Sequence, residues 1–138
     1  MSNGPAPAPT SALPRHLLDV NVLLAAIWAN HPQHARAFAW LAGKTVLLCP
    51  LCELGFLRVS TNKKAINAPM AQARTLLAQF ATDRKAERIA DDLPAISSQP
   101  KMSEQVTDFY LADLAARHGA RLGTFDQAIK HMAADVIA

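Results

Sequence analysis

Short apolar runs alternate with longer amphipathic stretches along this chain, and each change of period marks the start of a new element. "HLLDV" (16–20) predicts a buried strand and "NVLLAAIWAN" (21–30) a helix continuing from it. "HPQHARAFAWLAG" (31–43) predicts a second helix, with Pro32 in its first turn and Gly43 at its end. The pattern then repeats: "TVLLC" (45–49) is a strand, and Pro50 opens the helix "PLCELGFLRVS" (50–60). "APMAQARTLLAQFATD" (68–83) is rich in helix formers, "AERIA" (86–90) is a short strand, and "DDLPAISSQPK" (91–101) is a loop. Ser103 is placed to cap a long helix, "SEQVTDFYLADLAARHG" (103–119), which Gly119 ends. "ARLGTF" (120–125) is a strand, Asp126 starts a short helix, and "ADVIA" (134–138) closes the sheet. Strands alternating with helices at this spacing predict an α/β fold with a central, mostly parallel sheet covered on both faces.

Composition narrows the picture. A length of 138 residues suits one domain. The longest apolar runs fall well short of the roughly 20 residues that cross a bilayer, so no membrane association is expected. Four of the nine prolines lie in the first fourteen residues, which read as a flexible Pro/Ala-rich tail (1–14) ahead of the domain (15–138), not as a secretion signal. Two cysteines argue against a disulfide framework and for a reducing, cytoplasmic setting. A net charge of +3 permits a polyanionic partner without requiring one.

The chemistry lies in the carboxylates. In parallel sheets, sites form at the carboxyl ends of the strands. Asp19 ends the first strand, Glu53 falls in the first turn after the second, and Asp126 directly follows "RLGTF". Asp108, early in the helix that feeds that last strand, is placed to join them. Carboxylates brought together repel one another, so such a cluster needs a compensating cation, and oxygen donors of this hardness select Mg²⁺ or Mn²⁺. Ions held this way complete their coordination with water and phosphate, which points to phosphodiester hydrolysis.

The segments "HLLDVNVLLAAIW", "HPQHARAFAWL", "CPLCELGFLRVSTN" and "QVTDFYLADLAARHGARLGTFD", in this order and separation, resemble a PIN-domain ribonuclease of the VapC type. VapC proteins are toxins of bacterial toxin–antitoxin pairs. The likeness runs from His16 to Ala138, and the four acids of the family's motif fall on Asp19, Glu53, Asp108 and Asp126. It implies a PIN-like α/β/α sandwich and a Mg²⁺ site that Mn²⁺ can also fill. It further implies endonucleolytic cleavage of structured RNA, a homodimer, and inhibition by a cognate antitoxin protein. The proline-rich tail has no counterpart in the family pattern, and Cys52 stands where a small polar residue is expected.

Several residues carry competing readings. Asp108 and Asp113 are five positions apart, about 140° around a helix, so only one of them can face the ion. "TD" before "FYLADLA" favours Asp108 and leaves Asp113 to pair with Arg117. Asn21 either orients Asp19 or simply fills a first turn, whereas Thr124 is read as hydrogen-bonding in support of the site. His31, His34, Cys49 and Cys52 could form a Cys₂His₂ zinc site, and Cys49-Pro-Leu-Cys52 has the spacing of a redox dithiol. Arg58, Lys63, Lys64, Arg117 and Arg121 are candidate RNA contacts, because an acidic site alone repels phosphate. Trp28, Phe38 and Trp40 are read as filling helix–helix contacts, with an exposed Trp28 suited to an antitoxin groove. Two further functions are carried beside the nuclease: a PIN-fold RNA- or protein-binding module without strong catalysis, and a thiol oxidoreductase using Cys49 and Cys52.

Overall fold

In the computed structural model, which describes residues 13–138, the short apolar runs become strands, of which the three central ones are largely buried and the two edge strands are not. β1 (Arg15–Leu18), β2 (Thr45–Leu48), β3 (Glu87–Arg88), β4 (Arg121–Thr124) and β5 (Ala134–Val136) form one sheet in the order β3-β2-β1-β4-β5. Every neighbouring pair is parallel. Leu17, Leu18, Val46, Leu47, Leu48 and Leu122 are all fully enclosed, as expected for a parallel sheet sandwiched between helices. Of the proposed tail only Leu13 and Pro14 are among the described residues, and the Pro14 carbonyl accepts a hydrogen bond from Thr45 N–H.

Helices α1 (Val20–Ile27), α2 (His34–Leu41), α3 (Pro50–Thr61) and α4 (Met70–Asp83) pack on one another, and α5 (Val106–Arg117) packs on β4 and β1. Right-handed crossovers from β1 to β2 to β3 put the first four helices on one face. The return from β3 to β4 crosses the sheet in the other direction and puts α5 on the opposite face, completing an α/β/α sandwich. Gly43 (φ +74°) and Gly119 (φ +69°) close α2 and α5 in the left-handed conformation that lets a helix end abruptly.

Trp40 of α2 lies against the sheet where β4 carries Gly123. A Cβ there would stand 2.5 Å from the indole ring, so this position has no room for a side chain. Trp28 is buried, stacks on Phe56 of α3 and donates from Nε1 to Ser60 Oγ at 2.9 Å, so it is a helix–helix contact and not an exposed docking residue. Phe38, by contrast, is 57% exposed, with the Arg84 guanidinium over its ring.

Three local expectations change. Ser103 does not cap the long helix: Ser103–Gln105 form a 3₁₀ turn and α5 begins at Val106. The Ser103 hydroxyl is held by the neighbouring Glu104 carboxylate, which removes it from the role of cap. Asp126 opens a tight turn, not a helix, because its Oδ1 accepts Ala128 N–H two residues on. Asp113 accepts from Ser98 Oγ and His131 Nε2, both at 2.6 Å, while Arg117 pairs with Asp92. Partners from other segments thus replace the helical pair.

Candidate active site

The sheet grows to one side of β1 through β2 and β3 and to the other through β4 and β5. The crevice above the carboxyl ends of β1 and β4 is therefore the point where the topology switches, the place such sheets leave open for ligands. Asp19 leaves β1 at that edge and caps α1, with Oδ1 accepting Asn21 N–H at 3.4 Å. It is 7% exposed. The Asn21 contact comes from its backbone, and its own side chain is exposed.

Across the crevice, Thr124 ends β4 fully buried and donates from Oγ1 to Asp19 Oδ2 at 2.9 Å. The same oxygen accepts Asp126 N–H at 3.1 Å. This second bond fixes the hydroxyl direction: its lone pair is taken by Asp126 N–H and its proton is aimed at Asp19. One threonine thereby ties Asp19 to Asp126 across 107 positions of chain.

Electrostatics describe what this arrangement does. Burial pushes the Asp19 carboxyl above the ordinary aspartate value, and the Asp126 charge pushes the same way, despite the hydrogen bonds from Thr124, Asn21 and Val20. Desolvation outweighs the donors. Asp108, half-buried in the first turn of α5, is raised to about 6 by burial and then by the charges of Asp19 and Asp126. Asp19 and Asp108, from separate elements, both resist ionising, and the charge of Asp126 is a cause for each. The charge they lack is positive.

Glu53 lies in the first turn of α3, above the end of β2, with its Oε2 3.2 Å from the Arg88 Nη2 of β3. It is not among the charges that raise Asp19 or Asp108. Sequence reasoning missed this arginine. The signal lay in "AERIA", whose pairing with β2 puts Arg88 beside Leu48, but the pairing partner of a two-residue strand is not readable from its own residues. Among the described residues no group of three or more His, Cys, Asp or Glu side chains is drawn into a ready cage for a metal ion.

The zinc set does not assemble: His31 Nδ1 takes Gln33 N–H, and His34 Nδ1 is bonded to the Ala25 carbonyl. Cys49 and Cys52 are free thiols with sulfurs 3.4 Å apart and no exposure. Hydrogen bonding to Cys49, burial and the nearby charges of Cys49 and Asp19 hold the Cys52 thiol well above its usual range. A redox dithiol requires the opposite.

The basic candidates lie further along the elements that carry the acids, or at the opposite end of β4. Arg58 is in the last turn of α3, roughly 8 Å along the axis from Glu53, and Lys63 and Lys64 follow beyond it. Arg117 ends α5 about 14 Å from Asp108, and Arg121 starts β4 with its guanidinium on the Ala134 carbonyl. None of the five is brought to the acidic edge.

Comparison with known proteins agrees with this architecture. The PIN-domain family model matches residues 16–135. Ribonuclease VapC38 of Mycobacterium tuberculosis is 39% identical over 121 residues, covering 82% of this chain and 86% of that protein. Ribonuclease VapC44 of the same organism is 38% identical over 125 residues, with 83% and 88% covered. Among solved structures, the crystal structure of VapBC2 from Rickettsia felis bound to a DNA fragment from their promoter matches with a TM-score of 0.55. It covers 83% of this chain and 89% of that one, and at 18% identity its likeness is one of fold. A family model spanning nearly the whole described region, and relatives this similar over most of their length, establish that the chain belongs to the PIN-domain family, beside the VapC ribonucleases.

Proposed function

We propose that this chain is a metal-dependent endoribonuclease, the toxin of a toxin–antitoxin pair, that cuts structured RNA of the tRNA or rRNA class. The observation that carries the reading is the placement of Asp19 and Asp126 at the open strand ends, joined through Thr124, with Asp108 close enough that burial and the charges of those two raise its pKa to about 6. A hard divalent cation is the ligand that such a donor set favours. The relatives' names support the RNA substrate, and the family resemblance implies Mg²⁺, with Mn²⁺ able to replace it.

Asp19, Asp108 and Asp126 would hold the cation, with Glu53 as a fourth donor. Glu53 is free to turn, because its ion pair with the 58%-exposed Arg88 side chain is worth no more than about 1 kcal/mol. When bound, the ion lowers the pKa of a coordinated water and offsets charge building on the scissile phosphate. Thr124 keeps Asp19 oriented and directs its Oδ2 lone pair. The Asp126 turn, closed by Ala128 N–H, would hold that carboxylate in place for the ion. A cognate antitoxin protein, a homodimeric assembly and a cytoplasmic location complete the proposal. No helix among the described residues is long and apolar enough to cross a membrane.

The test is cleavage of total cellular RNA by the purified chain in Mg²⁺ or Mn²⁺, beside EDTA and Asp19→Asn. Discrete cuts that need metal and vanish in the variant are expected; full cleavage by Asp19→Asn would falsify the reading. A second reading, a PIN-fold binding module, is favoured by one observation, the engagement of Glu53 by Arg88. Calorimetric titration with Mn²⁺ separates the two, since the module predicts no binding that depends on the aspartates.

A further inference from the structure

A second cleft opens beside the acids, on the α5 side. It has a volume of about 410 Å³ and is lined by Lys101, Met102, Gln105, Phe109, Ala128 and Lys130. Two of its lining residues adjoin the acids. Phe109 directly follows Asp108, and Ala128 gives its N–H to Asp126. Both lysines are exposed, and neither forms an ion pair among the described residues. Met102 is 51% exposed and Phe109 half-buried, its ring set edge-on against His131. Gln105 accepts Lys101 N–H at 3.2 Å, which closes the turn carrying the lysine and leaves the amide NH₂ to donate.

We propose that this cleft binds one nucleotide of a single-stranded RNA segment next to the scissile phosphate, with Lys101 and Lys130 on the flanking phosphates and the base against Phe109 and Met102. The inference rests on the nuclease reading and adds to it the residues that bring RNA to an acidic edge. Three features select this occupant. The crevice is anionic, so the strand needs cations close by to approach it, and the two cleft lysines flank the turn and helix that carry Asp126 and Asp108. The two lysines bracket an apolar floor with an aromatic face, the arrangement that seats a base between backbone phosphates. Gln105 can donate to the base edge. Lys101 and Lys130 act by positioning the strand and touch no reacting atom.

The experiment measures binding of a fluorescein-labelled, mixed-sequence single-stranded RNA in Mg²⁺ by anisotropy, with Asp19→Asn as the cleavage-disabled background. Adding Lys101→Ala and Lys130→Ala should weaken binding at low salt and reduce the slope of log affinity against log salt by about 1.4, two phosphate contacts' worth for a single strand. Phe109→Leu should weaken binding about tenfold without changing that slope. In the active chain the two lysine changes should raise KM and leave kcat nearly unchanged. These lysines are exposed, so folding is not at stake; an unshifted melting temperature checks this. RNA binding with unchanged affinity and slope overturns the proposal while the nuclease reading stands, and assigns the cleft to something other than RNA. A background chain that binds no RNA at any salt overturns both.

Discussion

Asp19 and Cys49 occupy equivalent places in neighbouring βα units: each leaves a central parallel strand and serves as the N-cap of the next helix. Their chemistries diverge because their neighbours differ. Asp19 uses its side chain as a cap, is held from the opposite strand by Thr124, and remains at a rim where other acids meet it. Cys49 makes no capping bond, lies fully enclosed in the core, and its side chain is hydrogen-bonded to the thiol of Cys52. A strand end in a doubly covered sheet is therefore a site only where the topology switches. One strand over, between β1 and β2, the chain runs on in the same direction, the helices close over the gap, and the position is core.

The strongest way to break this contrast is at Asp19. Asp19→Asn keeps the cap acceptor but removes the charge, and should lower RNA cleavage by about a hundredfold or more with the fold intact, read by initial rates and circular dichroism. The equivalent change at Cys49 has no such effect to lose.

Much of this was legible in the sequence, for reasons specific to each residue. The central strands were readable because they are buried on both faces and so appear as apolar runs, and the parallel order followed from their alternation with helices. Asp19, Asp108 and Asp126 were readable because strand ends and a first helical turn fix their positions locally. What was not legible depends on pairings between distant segments. Arg88 reaches Glu53 across 35 positions, and Ser98 and His131 take Asp113 away from its helical neighbour. The basic residues are harder to place from sequence, because proximity in sequence to an acid is not proximity in space when a helix of 12 residues runs away from the sheet edge.

Thr124→Val sharpens the comparison from the other side of the crevice. The isosteric change leaves Asp19 Oδ2 without its donor and Asp126 N–H without its acceptor, at a cost of about 1–3 kcal/mol in unfolding free energy. Cleavage should fall by roughly tenfold through misorientation of Asp19. A variant with wild-type stability and rate would show that the Thr124 link is incidental.

The repulsion among the acids predicts an unusual pH dependence. For Asp108 the folded chain binds a proton that the unfolded chain has released between pH 3.8 and about 6. Its contribution to stability is therefore greatest below that window, declines as pH climbs through it, and is level above. Asp19 is shifted in the same direction. A divalent cation reverses the trend, because it binds the ionised carboxylates and should raise Tm increasingly above about pH 6. Melting curves with and without Mn²⁺ should diverge as pH rises. Asp108→Asn should raise the metal-free Tm by a few degrees and remove most of the divergence, the modest size reflecting how far solvent screens a half-buried group. Parallel curves at all pH values would contradict the coupling.

The smallest effect is expected at the thiols, and it is the one that isolates topology from motif. Cys49-Pro-Leu-Cys52 sits at a helix N-terminus with the spacing of an oxidoreductase and with sulfurs 3.4 Å apart. Reactivity nevertheless needs a thiolate and a path for the reagent. Burial and the Asp19 charge both oppose ionisation of Cys52, and neither sulfur is exposed. A thiol-reactive dye should therefore label neither cysteine in the native chain on a timescale that labels both after denaturation. Replacing both by alanine should lower stability through lost packing while leaving cleavage within about twofold. Rapid native labelling, or a rate that collapses with the thiols, would mean that the β2 edge opens to solvent and that the two strand ends are chemically alike after all.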